Sequence, residues 1–330
     1  MQKPNSKGVA YVAAGDIGGT QMRTALVDRD GNLIARASDS TSPERGIEDG
    51  SRRFVKLLET VMSSVDRTSV AAIGVSSAGP IDPSTGVYYN PPNLQAWDGK
   101  TMKPGLEQAL RLPVVIGHDA RVAAIAEMRW GAARGMKNVI YVTVSTGIGG
   151  GLIVDGRPVE GVRGLAGEMG HIVVDPDGPP CNGGCRGCVE VFASGGGMAN
   201  IARRRIVAGE TTRMLEIAGG DPARITGRIV FQAAEKGDRM ALEIIDGGIR
   251  ALGMVLGGLL NTFAPEVLIV GGSVGADGLR PFWSKLDAAV RRCALLRYQE
   301  KAPLAVSQLG DDVGVLGAAA VAFDATTRRG

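Results

Sequence analysis

An α/β protein built from two related halves is the fold class that this sequence predicts, on three observations. Short apolar, β-branched runs alternate along the chain with longer stretches of helical periodicity, as in α/β units. The 330 residues are too many for one small core and few for three. Two segments also share one plan: VAYVAAGDIGGTQMRTALVDRDG from Val9 and NVIYVTVSTGIGGGLIVDG from Asn138 each read as a strand, a polar glycine-rich turn, a second strand and a D/G turn. That spacing fits a duplicated unit rather than a short repeat array. Two such hairpins are expected to face each other across a cleft.

In chain order, strands are predicted over 9–14, 22–27, 33–37, 70–75, 114–116, 139–144, 152–154, 267–270 and 304–306. Helices are predicted over 46–65, 120–131, 189–204, 239–263, 280–293 and from 313 to the end. The chain carries 49 glycines, about twice the usual share. Five of them, Gly247, Gly248, Gly253, Gly257 and Gly258, fall inside the helix over 239–263. Glycine costs roughly 1 kcal/mol there relative to alanine, so close helix packing is expected at each.

Charge and cysteine usage exclude several classes. A net charge of +3 with scattered arginines offers no basic stripe, so no nucleic-acid partner is expected. The apolar run near the N-terminus meets Asp16 at once and reads as a strand rather than a signal peptide. The longest uncharged helical stretch, ALGMVLGGLLNTFAP, is shorter than the roughly 20 residues of a membrane span, so no membrane partner is expected. Four cysteines, one of them (Cys293) alone in a helical pattern, do not make a secreted disulfide framework, which points to a reducing cytoplasm.

Glycine-rich hairpins present backbone N–H groups in a concave nest that suits phosphate oxygens. Two familiar phosphate motifs fail here. Gly99, Lys100 and Thr101 lack the first P-loop glycine, since Leu94 stands there, and each glycine-rich turn leads into a strand rather than a helix. The plain alternative for GDIGGT is a tight hairpin turn. Asp16 favours function, because a carboxylate beside a phosphate nest repels the ligand unless it organises a Mg²⁺ ion and its waters.

These features, in order, resemble the sugar kinase, heat-shock ATPase and actin superfamily, and within it the ROK family of sugar kinases and repressors. The resemblance rests on GDIGGT, SSAGPID (76–82), PPNLQAW (91–97), HDA (118–120), STGIGGG (145–151), GEMGH (167–171), GCVE (187–190) and VGGS (270–273). It implies the two-lobed actin-like ATPase (ribonuclease H-like) fold. The smaller lobe is expected over 1–118, with a C-terminal helix at about 313–328 packing back on it, and the larger over 119–312. It also implies an ATP- and Mg²⁺-dependent hexose kinase, glucose foremost, acting on the 6-hydroxyl as a homodimer or homotetramer. Alternatives within the family are N-acetylmannosamine, N-acetylglucosamine, fructose or mannose as acceptor, polyphosphate as donor, and a non-catalytic sensor or repressor. Repressors carry a helix-turn-helix module ahead of the first glycine-rich turn; fifteen residues precede Asp16 here, which favours the kinase.

The resemblance assigns roles residue by residue. Asp119 is implied as the base that takes the proton of the sugar hydroxyl, against the plainer reading of a helix N-cap. Gly79, Asn93, Glu168, His171 and Glu190 are implied at the sugar, with His118 where the family usually has an asparagine. Imidazole differs from an amide in reach and angle, which bears on substrate preference. Asp16, Gly18, Gly19, Thr20, Thr146 and Gly147 are implied at the phosphates, and Gly271 and Gly272 near the adenosine. Family members commonly carry C-x-C-G-x-x-G-C-x-E, three thiolates joined by the histidine of the GH pair. This chain keeps Cys181, Gly184, Gly187, Cys188 and Glu190, places Gly183 at the middle cysteine, and adds Cys185. A structural Zn²⁺ held by His171, Cys181, Cys185 and Cys188 is one reading; a redox or disulfide pair and inert packing are the others.

Overall fold

The computed structural model describes residues 11–327. Residues 9 and 10 of the first predicted strand and 328–330 of the terminal helix lie outside them. The chain forms two α/β units: the first holds the described residues up to 135 with 158–166 and those from 311 onward, the second 136–157 and 167–310. The boundary expected between 118 and 119 falls within the first unit. The helix Asp119–Trp130 stays there because it packs along the C-terminal helix Val313–Thr327.

Five strands form the sheet of the first unit: β1 (Tyr11–Ile17), β2 (Gln21–Asp28), β3 (Leu33–Ser40), β4 (Val70–Ser77) and β5 (Val114–His118), in the order β3-β2-β1-β4-β5. The second sheet comprises β6 (Val139–Val144), β7 (Ile148–Val154), β8 (Arg157–Pro158), β9 (Val267–Gly271) and β10 (Leu304–Val306), in the order β10-β9-β6-β7-β8. In each, an antiparallel hairpin (β1–β2 or β6–β7) is continued through its first strand by two parallel strands. The internal similarity of the sequence is thus a duplicated sheet.

Packing explains where the first hairpin ends. The helix Ile47–Met62 buries Ile47, Gly50, Phe54, Leu58 and Val61, a single stripe at three- and four-residue spacing. Phe54 lies directly over Gly15, where a Cβ would come within 2.2 Å of the ring. Glycine at that position lets helix and strand close up, and it sets the next residue, Asp16, at the end of a buried strand.

In the second unit a 25-residue helix, Arg239–Phe263, starts at Asp238, whose carboxylate accepts from Ala241 N at 2.9 Å. Three of its five glycines meet neighbours: a Cβ would contact Met198 at Gly248, Ala289 at Gly253 and Cys293 at Gly257. Gly258 has open space, and Gly247 meets only the tip of Arg250, so close packing does not explain those two. The helix predicted over 189–204 is two helices, Val189–Ala193 and Gly195–Val207. Ser194 separates them in an extended conformation (φ −74°, ψ 159°), its Oγ accepting from Gly197 N at 2.9 Å.

Candidate functional site

Asp16 stands in register between Arg23 on β2 and Ser76 on β4. Ser76 Oγ donates to Asp16 Oδ1 at 2.8 Å. Burial pushes the Asp16 carboxyl up to about 6, the charge of Asp119 adds to the rise, and the Ser76 hydrogen bond and Arg23 oppose it. Gly314, near the start of the terminal helix, leaves room for the group, since a Cβ there would lie 2.6 Å from Asp16 Cγ. A carboxylate held so eager for a proton suits a cation that replaces the proton, and among the described residues this is the one acid at the tip of the first hairpin.

The turn after Asp16 is held from behind. Gly18 N donates to Gln21 O at 2.9 Å, Thr41 N to Thr20 O at 2.9 Å, and Thr41 Oγ1 to Gly18 O at 2.6 Å. Arg53 in turn donates to the carbonyls of Ser40 and Thr41 while its guanidinium pairs with Asp49 at 2.7 Å and Asp39 at 3.1 Å. Asn93 packs against the turn, where a Cβ on Gly19 would lie 2.8 Å from its own Cβ.

Asp119 follows directly on β5, whose last residue, His118, pairs with Ser77 of β4. It is the first residue of the helix, not its N-cap, which is His118. Its Oδ1 accepts from Ala120 N at 2.6 Å and lies 3.3 Å from His118 Nδ1. Among the described residues Oδ2 has no hydrogen bond, and the side chain is 43% exposed. One oxygen is therefore spent on the helix start and the other is free to accept a proton. Gly79, whose peptide to Pro80 is cis, lies beneath His118, with a Cβ there meeting His118 Cδ2 at 2.6 Å. The first unit thus gathers Asp16, Gly18, Gly19, Thr20, Gly79, Asn93, His118 and Asp119.

The second unit gathers the rest. At the tip of β6–β7, Ser145 N donates to Gly147 O at 2.9 Å, and Gly195 N and Gly196 N donate to the carbonyls of Ser145 and Thr146 at 2.8 and 3.0 Å. The break at Ser194 is what brings the start of that helix to the turn. Gly272 has φ +81°, and a Cβ on it would come within 2.5 Å of Val144 O, so only glycine suits the position. Ser273 N, next in line, donates to Ser145 Oγ at 3.1 Å. Thr146, Gly147, Gly271 and Gly272 thereby share one end of the sheet.

Glu168 and His171 flank a single turn, His171 N donating to Glu168 O at 3.1 Å. That turn packs on β7, for a Cβ on Gly170 would lie 2.2 Å from Ile148 O. His171, Cys181, Cys185 and Cys188 present donor atoms all within 4.8 Å of one another. His171 Nδ1 lies 3.6 Å from Cys181 Sγ and 3.5 Å from Cys185 Sγ. The nitrogen–sulfur edge of a zinc tetrahedron, from its bond lengths, is about 3.6 Å, so the donor set and its spacing fit zinc. The cysteines are free thiols, and burial raises Cys181 and Cys188 above the ordinary thiol range. Gly183 N donates to Cys181 Sγ at 3.4 Å. Glu190 lies beside this knot, its Oε2 accepting from Ile148 N at 2.8 Å.

Comparison with known proteins fits this geometry. The ROK family pattern matches residues 12–325. The chain belongs to the ROK family. It is 32% identical to a glucokinase of Thermotoga maritima over 93% of this chain and 95% of that one. It is 32% identical to an N-acetylmannosamine kinase of Citrobacter koseri over 93% and 97%. Among solved structures, a ROK glucokinase from Streptomyces griseus in complex with glucose and AMPPNP superimposes with a TM-score of 0.81 at 32% identity, covering 95% of this chain and 99% of that one. The two duplicated units are those of the actin-like ATPase fold of ROK sugar kinases.

Several residues that hold these two groups of side chains in place, one group in each unit, were not singled out in the sequence. Ser76 lies inside SSAGPID but carried no assignment there. Thr41 and Arg53 sit far along the chain from the turn they hold and follow no motif, so only the fold could reveal them. The tie from Glu190 to Ile148 spans 42 residues and involves a backbone amide, which leaves no trace in side-chain identity.

Proposed function

We propose that this chain is an ATP-dependent hexose kinase, glucose being its foremost acceptor, with Asp119 as general base. The observation that carries the reading is the placement of Asp119 at the end of β5, with one carboxylate oxygen free and Asp16 near enough to feel its charge. Phosphoryl transfer asks for that arrangement: a base for the hydroxyl proton, positioned groups, and neutralised phosphate charge. The free Asp119 oxygen would take the proton of the sugar 6-hydroxyl as that hydroxyl oxygen attacks the γ-phosphorus and the bond to the β–γ bridging oxygen breaks, releasing ADP. Magnesium, when bound, neutralises the β- and γ-phosphates, and Asp16 is the acid that would hold it through water. Gly18, Gly19, Thr20, Thr146 and Gly147 would cradle the phosphates, Gly271 and Gly272 would pass near the adenosine, and Gly79, Asn93, His118, Glu168, His171 and Glu190 would meet the sugar. Zinc on His171, Cys181, Cys185 and Cys188 would be structural, fixing the loop that carries Glu190.

Kinship to an N-acetylmannosamine kinase at the same identity supports a second acceptor class. A coupled assay over hexoses and N-acetylhexosamines, each with ATP or polyphosphate, decides among them; binding of sugar with no nucleotide consumed on any acceptor would leave only a sensor. Asp119→Asn is expected to cut kcat by three orders of magnitude or more, about the loss seen when a catalytic proton acceptor is removed, with sugar affinity little changed. Near-normal turnover would remove Asp119 as base. Elemental analysis should find about one zinc per chain. Light scattering reads the homodimer or homotetramer expected of the family, and the clustered free thiols suit a reducing cytoplasm.

A further inference from the structure

Glu190 does something that sugar contact does not require. It follows Cys188 by two residues in the short helix Val189–Ala193, for which Cys188 is the N-cap. One carboxylate oxygen, Oε2, accepts the backbone N–H of Ile148 at 2.8 Å, and a Cβ on Gly147 would lie 2.7 Å from that oxygen. The other, Oε1, lies 3.9 Å from Cys181 Sγ. The side chain therefore spans from the thiol knot to the turn of β6–β7. The same stretch of chain goes on to hold the turn again, through Gly195 N and Gly196 N on the carbonyls of Ser145 and Thr146. Beside its own bond from Ser145 N to Gly147 O and the bond from Ser273 N to Ser145 Oγ, the turn is held by residues 188–196, which alone among the described residues reach Thr146 O and Ile148 N. Those residues are anchored at one end by a ligand of the knot, Cys188.

We propose that Glu190 is a positioning residue for the nucleotide hairpin, and that metal occupancy of the His171, Cys181, Cys185 and Cys188 knot sets the order of that hairpin through it. The inference rests on the kinase reading for the identity of the ligand, a nucleoside polyphosphate, and on geometry alone for the brace. Ligation would fix Cys188, the N-cap of the short helix that carries Glu190, and with it the point from which the side chain reaches the turn.

The test uses the full-length, zinc-loaded protein without sugar, so that contact of Glu190 with a hexose does not enter. Hydrogen exchange over residues 145–150 reads the Ile148 amide directly, and calorimetry with Mg-ADP reads nucleotide affinity. Glu190→Ala should unprotect the segment and weaken Mg-ADP about tenfold, the lower end of the effect of removing a supporting ligand contact. Glu190→Gln keeps an oxygen that accepts from Ile148 N and should retain protection and affinity within about threefold. Stripping zinc with a chelator should reproduce the alanine pattern, and restoring zinc should reverse it. Unchanged exchange and affinity in Glu190→Ala, glutamine as damaging as alanine, or a zinc-stripped protein with a fully protected hairpin would each overturn the proposal. Should Glu190→Ala fail to fold, the glutamine and chelation arms still decide. A wild-type protein that binds no Mg-ADP would sink the kinase reading, while exchange at Ile148 would still judge the brace.

Discussion

The two glycine-rich hairpins hold the same place in two sheets of the same strand order, yet they differ in chemistry and in support. Ile17 pairs with Met22 to close the first, and Val144 with Ile148 to close the second, so Asp16 and Thr143 are counterparts. Asp16 faces Arg23 and Ser76 across the sheet; Thr143 faces Gly149 and Gly271. The first turn is held by Thr41 and, behind it, by Arg53 clamped between Asp39 and Asp49. The second is held by Glu190 and by the start of a helix. Duplication has preserved the path of the backbone and little else. One copy carries an ionisable group, and the other leaves its charge to Glu190, a residue arriving from beside the cysteine–histidine cluster.

Among tests of the two hairpins, the largest effect should come from removing Asp16. Asp16→Asn is expected to lower kcat about a hundred- to thousandfold, as for loss of one preorganised charge-stabilising group. Its effect on stability has the opposite sign. A carboxyl whose folded value is about 6 against an ordinary 3.8 binds more protons in the native state than in the unfolded state between those values. Its ionisation therefore costs stability as pH rises through that window. The asparagine variant should melt higher than wild type at pH 7, by an amount equivalent to about 1–3 kcal/mol, with the gain vanishing near pH 4. A comparable loss of turnover in Thr143→Val would erase the asymmetry between the hairpins.

Next in size is the support of the first turn. Arg53→Met removes the donors to the Ser40 and Thr41 carbonyls and should raise KM for ATP by about an order of magnitude with kcat little changed, the pattern of lost uniform binding. A drop in kcat with KM unchanged would mean that Arg53 acts on the chemistry and not on the turn.

Smallest is a matched pair of alanines. Gly147→Ala pushes against Glu190 Oε2 at 2.7 Å, whereas Gly18→Ala meets only Gln21 O at 3.4 Å, an ordinary contact. Exchange protection should fall in the second hairpin for the first variant and stay unchanged in the first hairpin for the second. Equal loss in both would show that the turns share one mode of support.

Much of the architecture was legible because hydrophobic period carries it. The first hairpin, the parallel strands and the long helix over 239–263 emerge from the sequence within a few residues of their observed ends; the strand expected over 152–154 begins at Ile148, its glycines belonging to the hairpin and not to the turn. The split at Ser194 departs from the single helix expected over 189–204, although the chain marks it: Ser194 is a favoured N-cap, and Gly195, Gly196 and Gly197 interrupt the apolar spacing. What no local pattern encodes is the partner of the new helix start, the carbonyls of Ser145 and Thr146. The division into units likewise differs from the expected 118/119, since Asp119–Trp130 packs along Val313–Thr327, a neighbour distant in sequence. For the cysteines the sequence left metal, redox and packing readings open; proximity of four donors to one another is a property of the fold.

The missing side chain at Gly183 is what seats the imidazole of the cluster. A Cβ there would lie 2.5 Å from His171 Cε1 and 3.0 Å from Nε2, so the imidazole fills the space that a side chain at 183 would occupy. A cysteine at 183 would push the histidine ring out of its present place. A thiol at 183 and the present gathering of His171, Cys181, Cys185 and Cys188 therefore exclude each other.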